Sequence, residues 1–238
     1  MELIHWMRQP IFLNLTINTY KPVVLTGAMR PASATSADGP INLYQAVCLA
    51  SCDDALGHGV MAVFSSTIYS GRDIQKISNF KTDAFDQKDF GCLGYMNDDK
   101  VMMFSRTFKK HTLQSVFSEK PITELPPVGI VYYYAGAKPD ILTMMAQNHR
   151  GIVIIGSGSG NYSQAWLNEI ETLAAQGIIF VRASRVNQGI VYESDVFDPH
   201  NVCIPSNTLS GQKARVLLML ALSVTQNTKE IKRIFNEY

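Results

Sequence analysis

The sequence runs to 238 residues, 46% of them hydrophobic and 17% charged, enough to bury a sizeable core in one large domain or two small ones. Lys and Arg number 21 against 20 Asp and Glu, so the formal net charge of +1 offers no basic field for nucleic acid or an anionic membrane surface. The longest apolar runs, such as Val216 to Val224, fall short of the about 20 residues that span a bilayer, which excludes a membrane-spanning helix and leaves a small, near-neutral partner as the expectation.

The opening Met1-Glu-Leu-Ile-His-Trp-Met-Arg-Gln-Pro10 lacks the basic start, apolar middle and small-residue cleavage site of a secretory signal, so the cytoplasm is the default compartment. Pro22 to Thr26 is a short apolar run rich in β-branched residues that ends at Gly27, and it reads as a buried strand. Gly39-Pro40 then starts a helix with proline at its first turn, along which Leu43, Val47 and Ala50 recur at helical spacing. Gly59 to Phe64 is a second strand, and the crossover between the two fits adjacent parallel strands. Residues 65 to 117 are less regular, with turn signals at Ser70-Gly-Arg-Asp73 and Asn97-Asp-Asp-Lys100. Residues 118–127 carry three prolines among charged residues and read as a linker, dividing the chain into domains over 1–117 and 128–238. Beyond it, strands at Val128 to Tyr134, Gly151 to Ile155 and Ile178 to Val181 alternate with helices at Pro139 to Asn148 and Tyr162 to Gln176, a doubly wound α/β pattern. Two helices close the chain, from about Gly211 to Thr225 and then from Asn227, with Glu230 placed for a near capping box and Ile231, Ile234, Phe235 and Tyr238 on one face.

Few residues carry chemistry by themselves. Cys48, Cys52, Cys92 and Cys203 form no C-x-x-C pair; Cys48 and Cys52 with His58 can be read as metal ligands, but small buried hydrophobes are the simpler reading, and no metal is expected. Asn14-Leu-Thr16 and Asn161-Tyr-Ser163 fit the N-glycosylation pattern. Gly156-Ser-Gly-Ser-Gly-Asn161 joins a strand to a helix, where backbone N–H groups converge. As a dinucleotide fingerprint it fails at its third glycine, replaced by Asn161, so no cofactor is expected and a tight βα turn is the plain alternative. Arg106 and Lys109-Lys110-His111-Thr112 read by themselves as a solvated basic loop.

Thr26-Gly-Ala-Met-Arg-Pro31 followed by Ser36-Ala-Asp-Gly-Pro-Ile-Asn-Leu-Tyr44 resembles an internal signature of the bacterial, type II-like L-asparaginases and glutaminase-asparaginases. These are tetrameric amidohydrolases that convert asparagine, and often glutamine, to the acid and ammonia. Lys110-His-Thr, the Gly156 to Asn161 turn, Val181 to Val186 and Gln212 to Leu218 follow in family order, so the resemblance covers residues 12 to 238. It implies an incomplete flavodoxin-like parallel-sheet domain over 1–117, the linker 118–127, and a smaller complete doubly wound α/β domain over 128–238. It also implies roles: Lys110 as the catalytic lysine that takes a proton from a threonine, the backbone at Ala28 facing the leaving amide, and Ser159 touching substrate. Asp195 (or Glu193) would reach the substrate amine of an adjacent protomer, and Asp38 would either be structural or cap the helix at Gly39. A lysine serves as base only if burial or nearby cations lower its pKa, for which Lys109, His111 and Arg106 are candidates.

The same resemblance implies no cofactor, homo-oligomers or hetero-oligomers with asparaginase subunits, and relatives that are usually periplasmic or secreted. The family's Thr-Gly-Gly-Thr and Gly-Thr-Asp-Thr motifs, which supply the nucleophile and the aspartate that orients the lysine, do not occur in this sequence, and Thr16 and Thr19 stand in the wrong context to replace them. Met1 to Ile11 does not resemble the family, which makes an N-terminally truncated chain, inactive by itself, the expectation. The alternative is a catalytically dead remnant or an interaction subunit that pairs with a full-length asparaginase. The shortened first domain is expected to leave Val23 to Leu25 as an unpaired strand edge.

Overall fold

A computed structural model describes residues 8–119 and 121–238. The departure from the family pattern over Met1 to Ile11 falls largely on residues 1–7, outside the described residues, as does Lys120 of the linker. The chain divides into two compact units that meet between Pro121 and Ile122, within the proline-bearing stretch.

The first unit comprises helix α1 (Gln9–Thr16), strand β1 (Val23–Leu25), helix α2 (Gly39–Ala50) and strands β2 (Val60–Phe64), β3 (Thr67–Ser70), β4 (Gln75–Lys76), β5 (Phe85–Asp86), β6 (Gly94–Asn97) and β7 (Lys100–Met103). Its main sheet has the order β1-β2-β3-β6-β7. β1 and β2 are parallel, with Val23 opposite Val60, as the crossover length requires. The remaining pairings are antiparallel, so the sheet is mixed. β2 is buried along its whole length: Met61 and Val63 join Leu49, Ile68 and Leu93 on one face, while Ala62 and Phe64 join Tyr69, Ile74 and Phe85 on the other. The hairpin from β2 into β3 turns on Ser65 and Ser66, with φ of 46° and 61°. That is the backbone of a two-residue hairpin turn, made here without the Asn-Gly or Asp-Gly pair that ordinarily announces one.

Helix α2 faces the opposite way from its apolar spacing. Leu43 and Val47 are 60% and 61% exposed, whereas Asn42, Gln45, Ala46 and Leu49 are buried. The reason is hydrogen bonding. Asn42 donates to the Gly27 carbonyl at 2.9 Å and accepts from the Ser65 amide at 3.2 Å, and Gln45 donates to the Ser66 hydroxyl at 3.0 Å. Two strand-ending loops need these polar side chains inward, where an unmet backbone group costs about 1–3 kcal/mol.

The second unit is built from β8 (Val128–Tyr132), α3 (Asp140–Ala146), β9 (Gly151–Gly156), α4 (Gln164–Ala175), β10 (Ile179–Ser184), β11 (Cys203–Pro205), α5 (Gly211–Val224) and α6 (Thr228–Glu237). Its sheet, ordered β11-β10-β9-β8, is parallel throughout. Leu142, Trp166, Ile170 and Leu173 of α3 and α4 pack on Ile152, Ile154 and Phe180. Leu218 of α5 reaches Gly151, and Gly211 at the start of α5 lies against Ile155 and Ala183, on the alternate positions and hence the other face. Asn227 caps α6 by accepting from the amides of Lys229 and Glu230 at 2.9 and 3.3 Å, and Ile231, Ile234, Phe235 and Tyr238 are all buried, as their spacing predicts. Among the described residues no helix is long and apolar enough to cross a membrane.

The two glycosylation triplets differ in accessibility, with Asn14 buried and Asn161 half-buried. Asn14 is 2% exposed and accepts from the Val60 amide at 2.9 Å, and Asn161 keeps its side-chain oxygen buried in the glycine-rich turn.

Candidate active site

β1 ends in the Gly27–Arg30 backbone, and this segment is held by one side chain. Asp38 is buried and accepts from the Met29 amide at 2.9 Å, from the Arg30 amide at 2.9 Å and from Asn42 at 3.1 Å. It stands at the start of α2 yet makes no capping bond to the helix, so its carboxylate serves the loop before it. Burial pushes the Asp38 carboxyl up, but the amides of Met29 and Arg30 and the side chain of Asn42 outweigh it and hold the group below its ordinary value. Ala28 sits in the middle of the held segment, exposed, with its Cβ against Gly39. Thr26 donates to the Val63 carbonyl at 2.7 Å, which seats the end of β1 on β2.

Lys110 lies elsewhere on this unit. His111, its neighbour, packs on Gly59 at the amino end of β2, where a Cβ would come within 2.8 Å of the imidazole and 2.6 Å of Asn14 Oδ1. Gly59, at φ 72°, lacks that Cβ and permits the approach. Because β1 and β2 are parallel, Lys110 and Ala28 belong to opposite ends of the pair. Lys110 itself is exposed. Burial, and then the neighbouring His58, hold His111 below the usual imidazole range, so it is uncharged near neutral pH and supplies no positive field to Lys110. Lys109 is likewise pushed down by burial and by Arg72, with Asp73 opposing. Thr112 follows at φ 40°, a left-handed conformation that a β-branched residue adopts at a cost of about 1–3 kcal/mol. It is buried and shares a 3.0 Å hydrogen bond with His111 Nδ1. A wide cleft of about 460 Å³ opens beside this segment between His58, Met103 to Arg106 and Phe108.

In the second unit the Gly156 to Asn161 turn closes on itself at the carboxyl end of β9, with Gly160 and Asn161 amides donating to the Ser157 carbonyl at 2.9 and 2.7 Å. Arg182 on β10, 2% exposed, donates Nη1 to the Ser159 carbonyl at 2.7 Å and Nη2 to the Tyr192 carbonyl at 2.5 Å. Ser159 is half-buried, and three residues past Tyr192 comes Asp195, exposed. Glu193 is engaged with Lys232 of α6 at 2.9 Å. Beneath them Asp198 accepts from the Val202 and Cys203 amides at 3.0 and 2.8 Å, and burial pushes the Cys203 thiol up to about 12. The fold therefore gathers Ser159 and the Glu193–Asp195 loop around one guanidinium.

Sequence reasoning reads Val181 to Val186 as architecture and passes over Arg182, whose signal is a single arginine set between the apolar Ile179, Phe180, Val181 and Ala183 of β10. Asn42 is hidden in the same way, as a polar residue inside a helical stripe. Among the described residues no group of three or more His, Cys, Asp or Glu could hold a metal ion.

Two family models match this chain: "Asparaginase, N-terminal" over residues 10–109 and "Glutaminase/Asparaginase C-terminal domain" over 127–235. The chain is 39% identical over 229 residues to L-asparaginase 2 of Escherichia coli, spanning 95% of this chain and 66% of that protein. It matches the probable periplasmic L-asparaginase of Haemophilus influenzae to the same extent. A glutaminase-asparaginase of Acinetobacter glutaminasificans is 40% identical over 232 residues and is covered to 70% of its length. The crystal structure of a probable cytoplasmic L-asparaginase from Campylobacter jejuni superposes with a TM-score of 0.93 at 39% identity, over 99% of this chain and 76% of that one. The chain thus spans about two thirds of the curated relatives it matches, and at this identity over nearly its whole length it belongs to the asparaginase/glutaminase family.

Proposed function

We propose that this chain furnishes parts of an amidohydrolase site that acts on the side-chain amide of L-asparagine or L-glutamine, yielding the acid and ammonia by a threonine-nucleophile mechanism. The observation that carries the reading is the Asp38 network, which spends a buried carboxylate on fixing a short backbone segment at the carboxyl end of β1, the end at which open α/β sheets bind ligands. The backbone at Ala28 would face the leaving amide. Ser159 would touch the substrate and Asp195 would reach its α-amine, with Asp195 favoured over Glu193 because Glu193 is committed to Lys232. Lys110, exposed and at the other end of the β1–β2 pair from Ala28, is not placed to act as the base at this segment.

The 238 residues contain neither threonine motif of the family and so supply no family nucleophile, and no turnover is expected from them alone. The nucleophile then comes from outside these 238 residues; in the interaction-subunit reading, the chain lends Ser159 and Asp195 to an asparaginase subunit that carries it. β1 favours such association: it pairs with β2 alone, leaving its other side without a strand among the described residues.

The test is ammonia release from L-asparagine and L-glutamine by the purified chain, alone and mixed with a full-length relative, with native mass measured in parallel. The expected result is no release alone, and co-elution with altered activity in the mixture. Turnover by the isolated chain would remove the need for a lent nucleophile. A chain that neither turns over nor associates would leave the lending role without support.

A further inference from the structure

We infer that Arg182 is a positioning residue that fixes the spacing between the Ser159 turn and the Glu193–Asp195 loop, so that one buried side chain sets the geometry of both substrate-facing segments. The inference rests on the asparaginase-type reading of Ser159 and Asp195. Four contacts argue for it. Nη1 binds the Ser159 carbonyl at 2.7 Å, and Nη2 binds the Tyr192 carbonyl at 2.5 Å. The guanidinium carbon lies 5.9 Å from the centroid of the Phe197 ring, further along the same loop. Gly160 closes over the stem: at φ 88° it leaves the space that a Cβ, 2.9 Å from Arg182 Cγ, would fill.

Packing alone does not call for arginine at this place. A guanidinium taken out of water carries a large desolvation cost, and an unbranched apolar side chain would fill the same volume without it. What arginine adds is a rigid planar fork, whose two terminal nitrogens can satisfy two carbonyls from different loops at a fixed separation. A lysine ammonium is a point donor and cannot hold both carbonyls at that separation. Other hydrogen bonds hold one segment each. Val191 is held by the Asn207 carbonyl at 3.0 Å, and the Asp198 and Phe197 amides return to Ser194 within the loop. On the other side, Ser184 Oγ holds the Gly158 carbonyl.

The experiment compares the full 238-residue chain with Arg182→Lys, Arg182→Met and Phe197→Leu by hydrogen exchange, without ligand. The reporters are the hydrogen-bonded amides of Gly160 and Asn161 in the turn and of Val191, Phe197 and Asp198 in the loop. Arg182→Lys and Arg182→Met are each expected to speed exchange about tenfold in both segments, while the amides of α6 keep their rates. Loosening of one segment only, unchanged rates, or equal loosening in Phe197→Leu would overturn the fork; if Arg182→Met does not fold, Arg182→Lys decides. L-Asparagine is then titrated calorimetrically. Where the wild-type chain binds it, Arg182→Lys should weaken the Kd about tenfold, and equal affinity would overturn the positioning role. Absence of binding by the wild-type chain counts against the asparaginase-type reading of the site, and the exchange rates alone then decide whether Arg182 couples the two segments.

Discussion

Asp38 shows how a single ionised group turns sequence into loop shape. Its carboxylate accepts two backbone amides and one side-chain amide in a buried position, and those bonds exist only in the charged form at full strength. Because the folded-state pKa is depressed below its ordinary value of 3.8, the group contributes stability that is present above that value and is lost as pH falls through the lower folded pKa. Asp38→Asn keeps the shape but puts an amide nitrogen where an acceptor is needed, and it should cost about 1–3 kcal/mol at neutral pH. Urea titrations at neutral pH and near pH 3 test this: the gap between wild type and variant should shrink at the acid end, and a gap independent of pH would show that the charge is not what holds the loop. The position of Asp38 just before Gly39 is legible in the sequence, but its hydrogen-bond donors are not. Local spacing suggests a helix cap, whereas the return of the chain after β1 brings the Met29 and Arg30 amides within reach.

At the scale of elements, Gly59 is the joint on which the Lys110 segment depends. It precedes β2 at φ 72°, and its missing Cβ leaves room for both Asn14, which satisfies the Val60 amide, and the His111 ring. Gly59→Ala combines the left-handed penalty with a collision and should destabilise by about 2–4 kcal/mol. Gly91→Ala is the control. It has a similar φ of 68° but nothing within 4 Å of its Cβ, so it should cost only the about 1–2 kcal/mol of conformation. Equal midpoint shifts in denaturant would mean that the crowding at Gly59 carries no energy. The contrast between elements explains what the sequence discloses. α6 is readable because a cap, an apolar stripe and an ion pair agree within one helix. The outward turn of Leu43 and Val47 in α2, and the β2–β3 hairpin over Ser65 and Ser66, are not readable, since both are decided by partners distant in sequence: Gln45 and Asn42 serve the same hairpin that the two serines form. Local periodicity is overruled where buried backbone groups need a donor or acceptor.

For the molecule as a whole, the division at Pro121 and Ile122 carries a definite expectation about folding. Every residue of the core cluster formed by Val131, Leu142, Ile152, Ile154, Trp166, Ile170, Leu173, Phe180 and Cys203 comes from the second unit. Its four-stranded parallel sheet has helices on both faces, the condition under which parallel sheets are stable. The Arg182 contacts also begin and end within it. A fragment of residues 122–238 should therefore fold alone and unfold in one cooperative step. Trp166 makes the test direct. It is the fragment's single tryptophan, fully buried, and its indole donates to the Ala137 carbonyl at 2.8 Å. Its emission should be blue-shifted in the fragment and move to the red in a single sigmoidal urea transition that far-ultraviolet circular dichroism reproduces. Solvent-exposed emission in the absence of urea, or transitions that differ between the two probes, would mean that the parallel sheet depends on residues before Ile122 and that the two units are one folding unit.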